Sequence, residues 1–272
     1  MILIDRNNKI TNVNKVVSEK SPSFSGIVNQ DCKGKLWVDN MEVPRIAIVE
    51  SFAVGSFAFL GVNEFIKDFV HIKMFLENEL YCYLKKTGRE CFEFSIESES
   101  IRDNILDLFK DKSIQTEKEF SFRAYVIPTC DQRIPREYQI RKVDNTLWNM
   151  MQEGKYENTD FITNRLLGSW HSFEDFMSKS IAYCTVWNNR IVAVMIGTAC
   201  YNNVIAIDIE TEEKHRRIGL SYTMAVEFIA DCHKNDYIPQ WDCIESNLNS
   251  YNLARKLGFE KINESTVYWV NI

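Results

Sequence analysis

Apolar positions recur along the chain with two periods, one near 3.6 residues and one of 2, and their order predicts the elements. The first 24 residues or so are mostly polar. Arg45-Ile-Ala-Ile-Val49 and Ser56-Phe-Ala-Phe-Leu60 are apolar runs of strand length. After Asn63, a residue type suited to an N-cap, Phe65, Phe69, Ile72, Leu76 and Leu80 recur at helical spacing. Phe92, Phe94 and Ile96 alternate as a half-buried strand does. Ser100 and Asp103 have the spacing of a capping box ahead of Ile101, Ile105, Leu108 and Phe109. Phe120, Phe122, Ala124 and Val126 alternate again. This half predicts an α/β domain with its own core, and no motif in it carries chemistry.

Pro128-Thr-Cys-Asp-Gln-Arg-Ile-Pro135 is short and polar, with a proline at each end. Such a segment disfavours continuous helix or sheet. It predicts a boundary between a smaller N-terminal α/β domain over 1–130 and a second domain over 136–272. No internal repeat is visible in the sequence.

In the second half, 138–143 predicts a strand, and 145–153 and 172–180 predict helices. The runs 182–187 and 191–199 predict a hairpin about Asn188-Asn189, a favoured turn pair. In 204–211, Ile205, Ile207 and Ile209 share one face and Ala206, Asp208 and Glu210 the other. Leu220, Met224 and Phe228 stack along a helix over 218–234. A strand at 237–244, a helix at 250–256 that stops at Gly258, and a strand at 267–270 complete the order. The fold class is α+β, a mixed sheet with helices packed on it.

Composition narrows the functions without choosing one. The 272 residues are 45% hydrophobic and 26% charged, as in a folded globular protein. A net charge of −6 argues against a general nucleic-acid partner. No apolar run approaches the roughly 20 residues of a membrane helix, and the N-terminus lacks a leader pattern. None of the eight cysteines is in C-x-x-C spacing. Reduced thiols in a cytosolic protein are expected.

The densest chemistry lies in Ile207-Asp-Ile-Glu-Thr-Glu-Glu-Lys-His-Arg-Arg-Ile-Gly-Leu-Ser221, a strand, a polar turn and the start of a helix. Free N–H groups at a helix start point outward at the positive end of its dipole. Gly219 leaves room for an anion against the backbone, and Arg216 and Arg217 add forked donors. The alternative is an ordinary helix start with two solvated arginines. The segment resembles motif A of the GNAT acetyltransferase superfamily, with Ser221 at a position where Gly or Ala is usual. Trp241-Asp-Cys-Ile-Glu-Ser-Asn247, Ser250 and Lys256-Leu-Gly-Phe259 resemble its motif B. The resemblance covers about 136–272. Ser172-Phe-Glu-Asp-Phe176 and Pro239-Gln-Trp-Asp-Cys243 extend it, and the combination is similar to the zwittermicin A resistance acetyltransferase-like family, whose members carry an N-terminal region of about this size.

The resemblance implies a GNAT (acyl-CoA N-acyltransferase) fold and acetyl-CoA as co-substrate. The pyrophosphate would meet Arg216, Arg217, Ile218, Gly219, Leu220 and Ser221. The pantetheine arm would pair with the backbone of Ile209 and Thr211, and Asn247 and Ser250 would lie beside it. Acyl transfer to an amine needs a neutral amine, donors for the oxyanion and a proton for the thiolate. Glu210 and Asp208 share a face of the cofactor strand and are candidates to take the amine's proton, or else they only order solvent or a nearby arginine. Many members supply the thiolate's proton from a Tyr four residues before the Gly of motif B, where this chain has Ala254. Tyr251 is the substitute candidate, with Cys243 as another.

Four histidines at 71, 171, 215 and 233 lack zinc-site spacing, so no metal is expected. His215 reads as a turn residue. No G-x-S-x-G and no Walker pattern occurs. The expected activity is N-acetylation of a primary amine on a small molecule, antibiotic-like or polyamine-like. Residues 136–272 hold 18 Asp/Glu against 14 Lys/Arg, a net of −4, which suits a cationic acceptor. The N-terminal domain would shape the acceptor pocket or form a homodimer. The alternative is a non-catalytic acyl-CoA-binding or regulatory protein on the same fold.

Overall fold

Among the described residues, buried apolar side chains gather in each of the two units into which the chain divides. The computed structural model describes residues 1–5, 8, 10–62, 69–129 and 133–272. One unit comprises Met1–Glu119 with Glu264–Ile272, and the other Phe120–Asn263. The division falls inside a strand ahead of the proline-flanked segment, and the C-terminal segment returns to the first unit.

The first unit contains β1 (Ile2–Leu3), α1 (Pro22–Val28), β2 (Gly34–Val38), β3 (Ile46–Ser51) and β4 (Phe57–Gly61). A helical run follows as α2 (Val70–Phe75), a π turn (Leu76–Leu80) and α3 (Tyr81–Lys86). Then come β5 (Cys91–Ile96), α4 (Arg102–Asp107) and β6 (Gln115–Arg123), which carries the chain into the second unit. Strands β2, β3 and β4 are antiparallel neighbours, and β4 pairs parallel with β5 over Phe57–Phe59 and Phe94–Ile96. Phe92, Phe94 and Phe109 stack in the core, with Phe94 and Phe109 centroids 4.7 Å apart.

Three local expectations change. Helix α1 starts inside the stretch expected to be polar, and all of its residues are buried. Its proline sits in the first turn, where the missing N–H costs nothing. The capping box does not form: Ser100 lies within a 3-10 turn at Glu99–Ile101, and α4 has no side-chain cap. Asn63 and Phe65 lie outside the described residues.

The second unit runs β7 (Tyr138–Lys142), α5 (Asn145–Gln152), α6 (Asp160–Ser169), α7 (Phe173–Lys179), β8 (Ala182–Trp187), β9 (Arg190–Tyr201) and β10 (Val204–Thr211). It continues with α8 (Leu220–Lys234), β11 (Ile238–Ile244), α9 (Leu248–Lys256) and β12 (Glu260–Asn271), which returns to the first unit. Helix α6 is an addition to the expected order. The sheet of this unit is ordered β6-β11-β10-β9-β8-β7. Asn188 and Asn189 between β8 and β9 have φ of 45° and 60°, and Asn202 and Asn203 between β9 and β10 have 47° and 65°. Positive φ at both central residues is the type I′ geometry that matches strand twist. On one face Leu220, Met224 and Phe228 of α8 join Ile205, Trp241 and Ala254 in the core.

Strands β10 and β11 are parallel, and their register runs only from Val204↔Ile238 to Ala206↔Gln240. The β9–β10 register shifts at Ala206/Ile207, the point where β10 leaves β11. Beyond it, Ile207–Thr211 continues on β9 without β11 beside it.

The two units repeat one topology. Each has three antiparallel strands, a helical connection from the third, and a fourth strand parallel to the third over three residue pairs. They differ beyond those pairs. In the first unit Glu97 N–H bonds Phe59 O at 2.9 Å and Gly61 N–H bonds Ser98 Oγ at 3.2 Å, so β4 stays bonded almost to its end. Ser95 and Ser21 hydroxyls donate to the Glu97 carboxylate beside it.

Candidate active site

A cleft of about 960 Å³ opens where β10 parts from β11. Its walls are the end of β10, the turn into α8 and one face of α9. Of the residues expected at a cofactor, Ile209, Thr211, Arg216, Arg217, Gly219, Leu220, Ser221, Asn247 and Ser250 line it. Ile218 instead packs against the hydrophobic core, so its side chain faces away.

The turn is built to leave backbone donors open. Gly219 occupies the N-cap position of α8 at φ 89°, and no side chain caps the helix. Arg217 has φ 65°. Two left-handed residues so close together turn successive N–H groups inward, a concavity for an anion at the positive end of a 15-residue helix. Arg216 Nε donates to Thr211 O at 2.8 Å, which ties the turn to the strand. Thr211 Oγ1 and Ser221 Oγ share a hydrogen bond of 2.9 Å across the turn.

Polar struts hold the loop from behind. The Arg190 guanidinium bonds Glu212 at 2.6 Å and holds that carboxyl below the usual carboxylate range. Asn158 Nδ2 donates to the same carboxylate at 3.1 Å. His215 is buried, its Nδ1 2.9 Å from the Tyr138 hydroxyl and its ring 5.0 Å from that of Trp187. It is a turn residue, packed as the pattern suggests.

On the face opposite the α8 core, Asp208 and Glu210 project as the alternation predicts. Both carboxylates pair with Arg165 of α6, Asp208 through Nε at 2.9 Å and Glu210 through Nη2. Nη1 donates to Phe161 O at 2.7 Å, and the guanidinium lies 4.7 Å from the centre of the Phe161 ring. Arg165 is the partner of the acidic pair that the sequence analysis did not name. Its only signal is the i, i+4 pair Ile162 and Leu166, both fully buried. The β10–β11 register puts Gln240 and Asp242 on this same face. Gln240 accepts from Arg123 Nε at 3.0 Å and donates to Asp242 at 3.1 Å.

Helix α9 presents Asn247, Ser250, Leu253 and Lys256 to the cleft, a stripe at i, i+3 spacing. The Asn247 side chain caps the helix by accepting from Ser250 N–H at 3.1 Å. Ser250 Oγ accepts from Trp241 Nε1 at 2.7 Å, which fixes the hydroxyl and leaves its own proton to donate. Ala254 is fully buried beneath. Tyr251, the candidate acid, is not among the cleft-lining residues. Its ring meets Phe120 and Phe122 at 5.4 and 5.5 Å, a packing role that its amphipathic spacing also serves. Cys243 is buried in the same core. Among the described residues no His/Cys/Asp/Glu group could hold a metal, and no helix is long and apolar enough to cross a membrane.

Comparison with known proteins gives the family and the fold. The model of a family described as GNAT acetyltransferase matches residues 16–268. YdfB of Bacillus subtilis, an N-acetyltransferase that is itself uncharacterized, is 26% identical over 255 residues, 91% of this chain and 90% of its own. Among solved structures, a GCN5-related N-acetyltransferase-like protein from Streptococcus suis superposes with a TM-score of 0.56 at 18% identity, covering 88% of both chains. A tandem GNAT protein from the clavulanic acid biosynthesis pathway superposes with a TM-score of 0.53 at 10% identity, over 91% of this chain and 86% of that one. At such identities the structural likeness speaks for the fold alone.

Proposed function

The chain belongs to the GNAT acetyltransferase family, and from that premise we propose that it moves an acetyl group from acetyl-CoA to a primary amine of a small molecule by direct attack. The observation that carries the reading is the uncapped start of α8 at Gly219, facing the cleft beside Arg217. Backbone amides from Ile218 to Ser221 would hold the pyrophosphate there. The unpaired side of β10 after Ala206 would take the pantetheine arm, chiefly at Ile209, because Thr211 O already accepts from Arg216. Asn247 and Ser250 would flank the arm.

The amine nitrogen forms a bond to the thioester carbonyl carbon, the C–S bond breaks, and the nitrogen loses one proton. Asp208 and Glu210 stand on the acceptor face as carboxylates that receive that proton, directly or through water. The CoA sulfur leaves as a thiolate, tolerable for a thiol of ordinary pKa about 8.5. The Ser250 hydroxyl is a donor in the cleft for it. The unit's acidity suits a cationic acceptor, and the motif combination resembles that of the zwittermicin A resistance-like members. A cytosolic enzyme with reduced thiols fits this reading.

Calorimetric titration with acetyl-CoA and CoA tests it, followed by thiol release in the presence of an amine panel. Micromolar-class binding is expected, lost in a folded Gly219→Val variant. A folded parent protein that binds neither ligand overturns the reading.

A further inference from the structure

With Ala254 buried and Tyr251 packed on Phe120 and Phe122, the hydroxyl that reaches the cleft from α9 is that of Ser250. Its direction is fixed by Trp241, whose Nε1 lies 2.7 Å from Ser250 Oγ. An indole N–H only donates, so Oγ is the acceptor there and the single hydroxyl proton must point elsewhere. Among the described residues no protein group accepts that proton. Ser250 lines the cleft, so the proton is directed into it. Trp241 is almost fully buried and its ring stands 5.5 Å from that of Phe259, which holds the indole and through it the hydroxyl.

Both residues border the opening of the sheet. Ala206↔Gln240 is the last paired position of β10 and β11, and Trp241 is the first residue of β11 beyond it. An amine beside Asp208 and Glu210 meets a thioester on the other face only through this opening. The carbonyl carbon therefore belongs in the opening, with the sulfur on the side of Ser250.

We infer that Ser250 is a catalytic residue that hydrogen-bonds the departing sulfur, and that Trp241 is the positioning residue that aims it. The inference rests on the proposed placement of acetyl-CoA and deepens it. As the amine nitrogen bonds the carbonyl carbon, the C–S bond breaks and its electron pair stays on sulfur. A serine hydroxyl is a much weaker acid than a thiol of pKa about 8.5, so the proton stays on Oγ. Ser250 stabilises the thiolate by a charge-assisted hydrogen bond and does not protonate it. The indole that donates to Oγ polarises the hydroxyl and strengthens that bond. The amine's proton goes to Asp208 or Glu210, and solvent protonates the thiolate after release.

The thiol of bound CoA tests this without an acceptor. The full-length parent, Ser250→Ala, Ser250→Thr and Trp241→Phe, each checked for folding by circular dichroism, are saturated with CoA and titrated with base. Thiolate absorbance in the ultraviolet is read as the difference from the same protein saturated with acetyl-CoA, which has no thiol. The bound thiol should ionise about one pH unit higher in Ser250→Ala than in the parent, the tenfold effect of one hydrogen bond to a charged group. Trp241→Phe should shift it part of the way, and Ser250→Thr, which keeps the hydroxyl, should match the parent. The other ionisable groups of the cleft, Glu210, Glu213, His215, Arg216, Arg217, Tyr222 and Lys256, are the same in every variant, as are Asp208 and Asp242 on the opposite face. Whatever Ser250 adds to holding the arm is common to CoA and acetyl-CoA and does not move the thiol's titration. Equal titrations in the parent and Ser250→Ala overturn the inference. A folded Trp241→Phe variant that matches the parent overturns the positioning role. A folded parent that binds neither CoA nor acetyl-CoA overturns the placement of acetyl-CoA itself, a result distinct from equal titrations.

Discussion

All three nitrogens of Arg165 have fixed partners, two carboxylates of β10 and a carbonyl of its own helix. Asp208 and Glu210 remain 44% and 42% exposed in their side chains, so solvent screens the pairs and each adds at most about 1 kcal/mol to stability. Position is the larger effect: without the guanidinium, two adjacent carboxylates repel and swing apart. Arg165→Gln should lower kcat/KM for the accepted amine by about 10- to 100-fold, as misplacement of a catalytic group does. Arg165→Lys should recover part of it, because an ammonium supplies charge but cannot fork. Acetyl-CoA affinity, read by calorimetry, should not change in either variant. An Arg165→Gln enzyme with the parent's kcat/KM would show that the carboxylates need no clamp. The acidic pair was legible in the sequence because strand alternation fixes a side chain's face. Its arginine was not, because contact between α6 and β10 is set by packing across 43 residues of chain. Thiol reactivity follows burial in the same way. Burial pushes the Cys184 thiol up to about 12, while Cys82 and Cys91 are exposed. A thiol reagent should modify Cys82 and Cys91 in the native protein and reach Cys184 only on unfolding, with mass spectrometry as the readout.

Helix α8 is tied to the sheet edge through Asp231, which receives the Tyr183 hydroxyl and the Lys142 ammonium, each at 2.6 Å. Burial alone would raise the Asp231 carboxyl, but the bonds from Lys142 and Tyr183 prevail and hold it below the usual carboxylate range. A carboxyl lowered in the folded state contributes stability above its unfolded value of about 3.9. That contribution is lost as pH falls from there through the folded value. Thermal melts across that interval should show a steep acid limb in the parent and a shallower one in Asp231→Asn. Equal limbs would assign the acid sensitivity to other carboxylates. Elements with strong periodicity were legible: β10 occupies the expected 204–211, and the hairpin turns at Asn188–Asn189. Those whose apolar positions are sparse were not. Helix α6 buries Ile162 and Leu166, and the less buried Phe161 and Leu167 beside them blur the one-sided pattern. Strand β12 begins at Glu260, seven residues before the apolar run at Val267 that announces it. Ladder bonds to neighbouring strands, which leave no mark on composition, carry its polar first half.

The repeat of one topology in both units leaves no trace in the sequence, because a fold constrains strand order and core periodicity far more tightly than identity. What the second unit has and the first lacks is specific. Its turn between the third strand and α8 contains Arg216, Arg217 and Gly219. Its third strand parts from the fourth and leaves Ile207–Thr211 open on one side. In the first unit Ser98 and the Glu97 amide carry the bonding on to Gly61. A thioester arm needs a free strand edge, so under the proposed placement of acetyl-CoA the second unit is the one expected to hold it. Calorimetry should therefore give one acetyl-CoA per chain, and Gly219→Val should remove all of it. Residual stoichiometric binding in that folded variant, or two molecules per parent chain, would mean that the first unit binds the ligand by a route its closed strand pair does not allow.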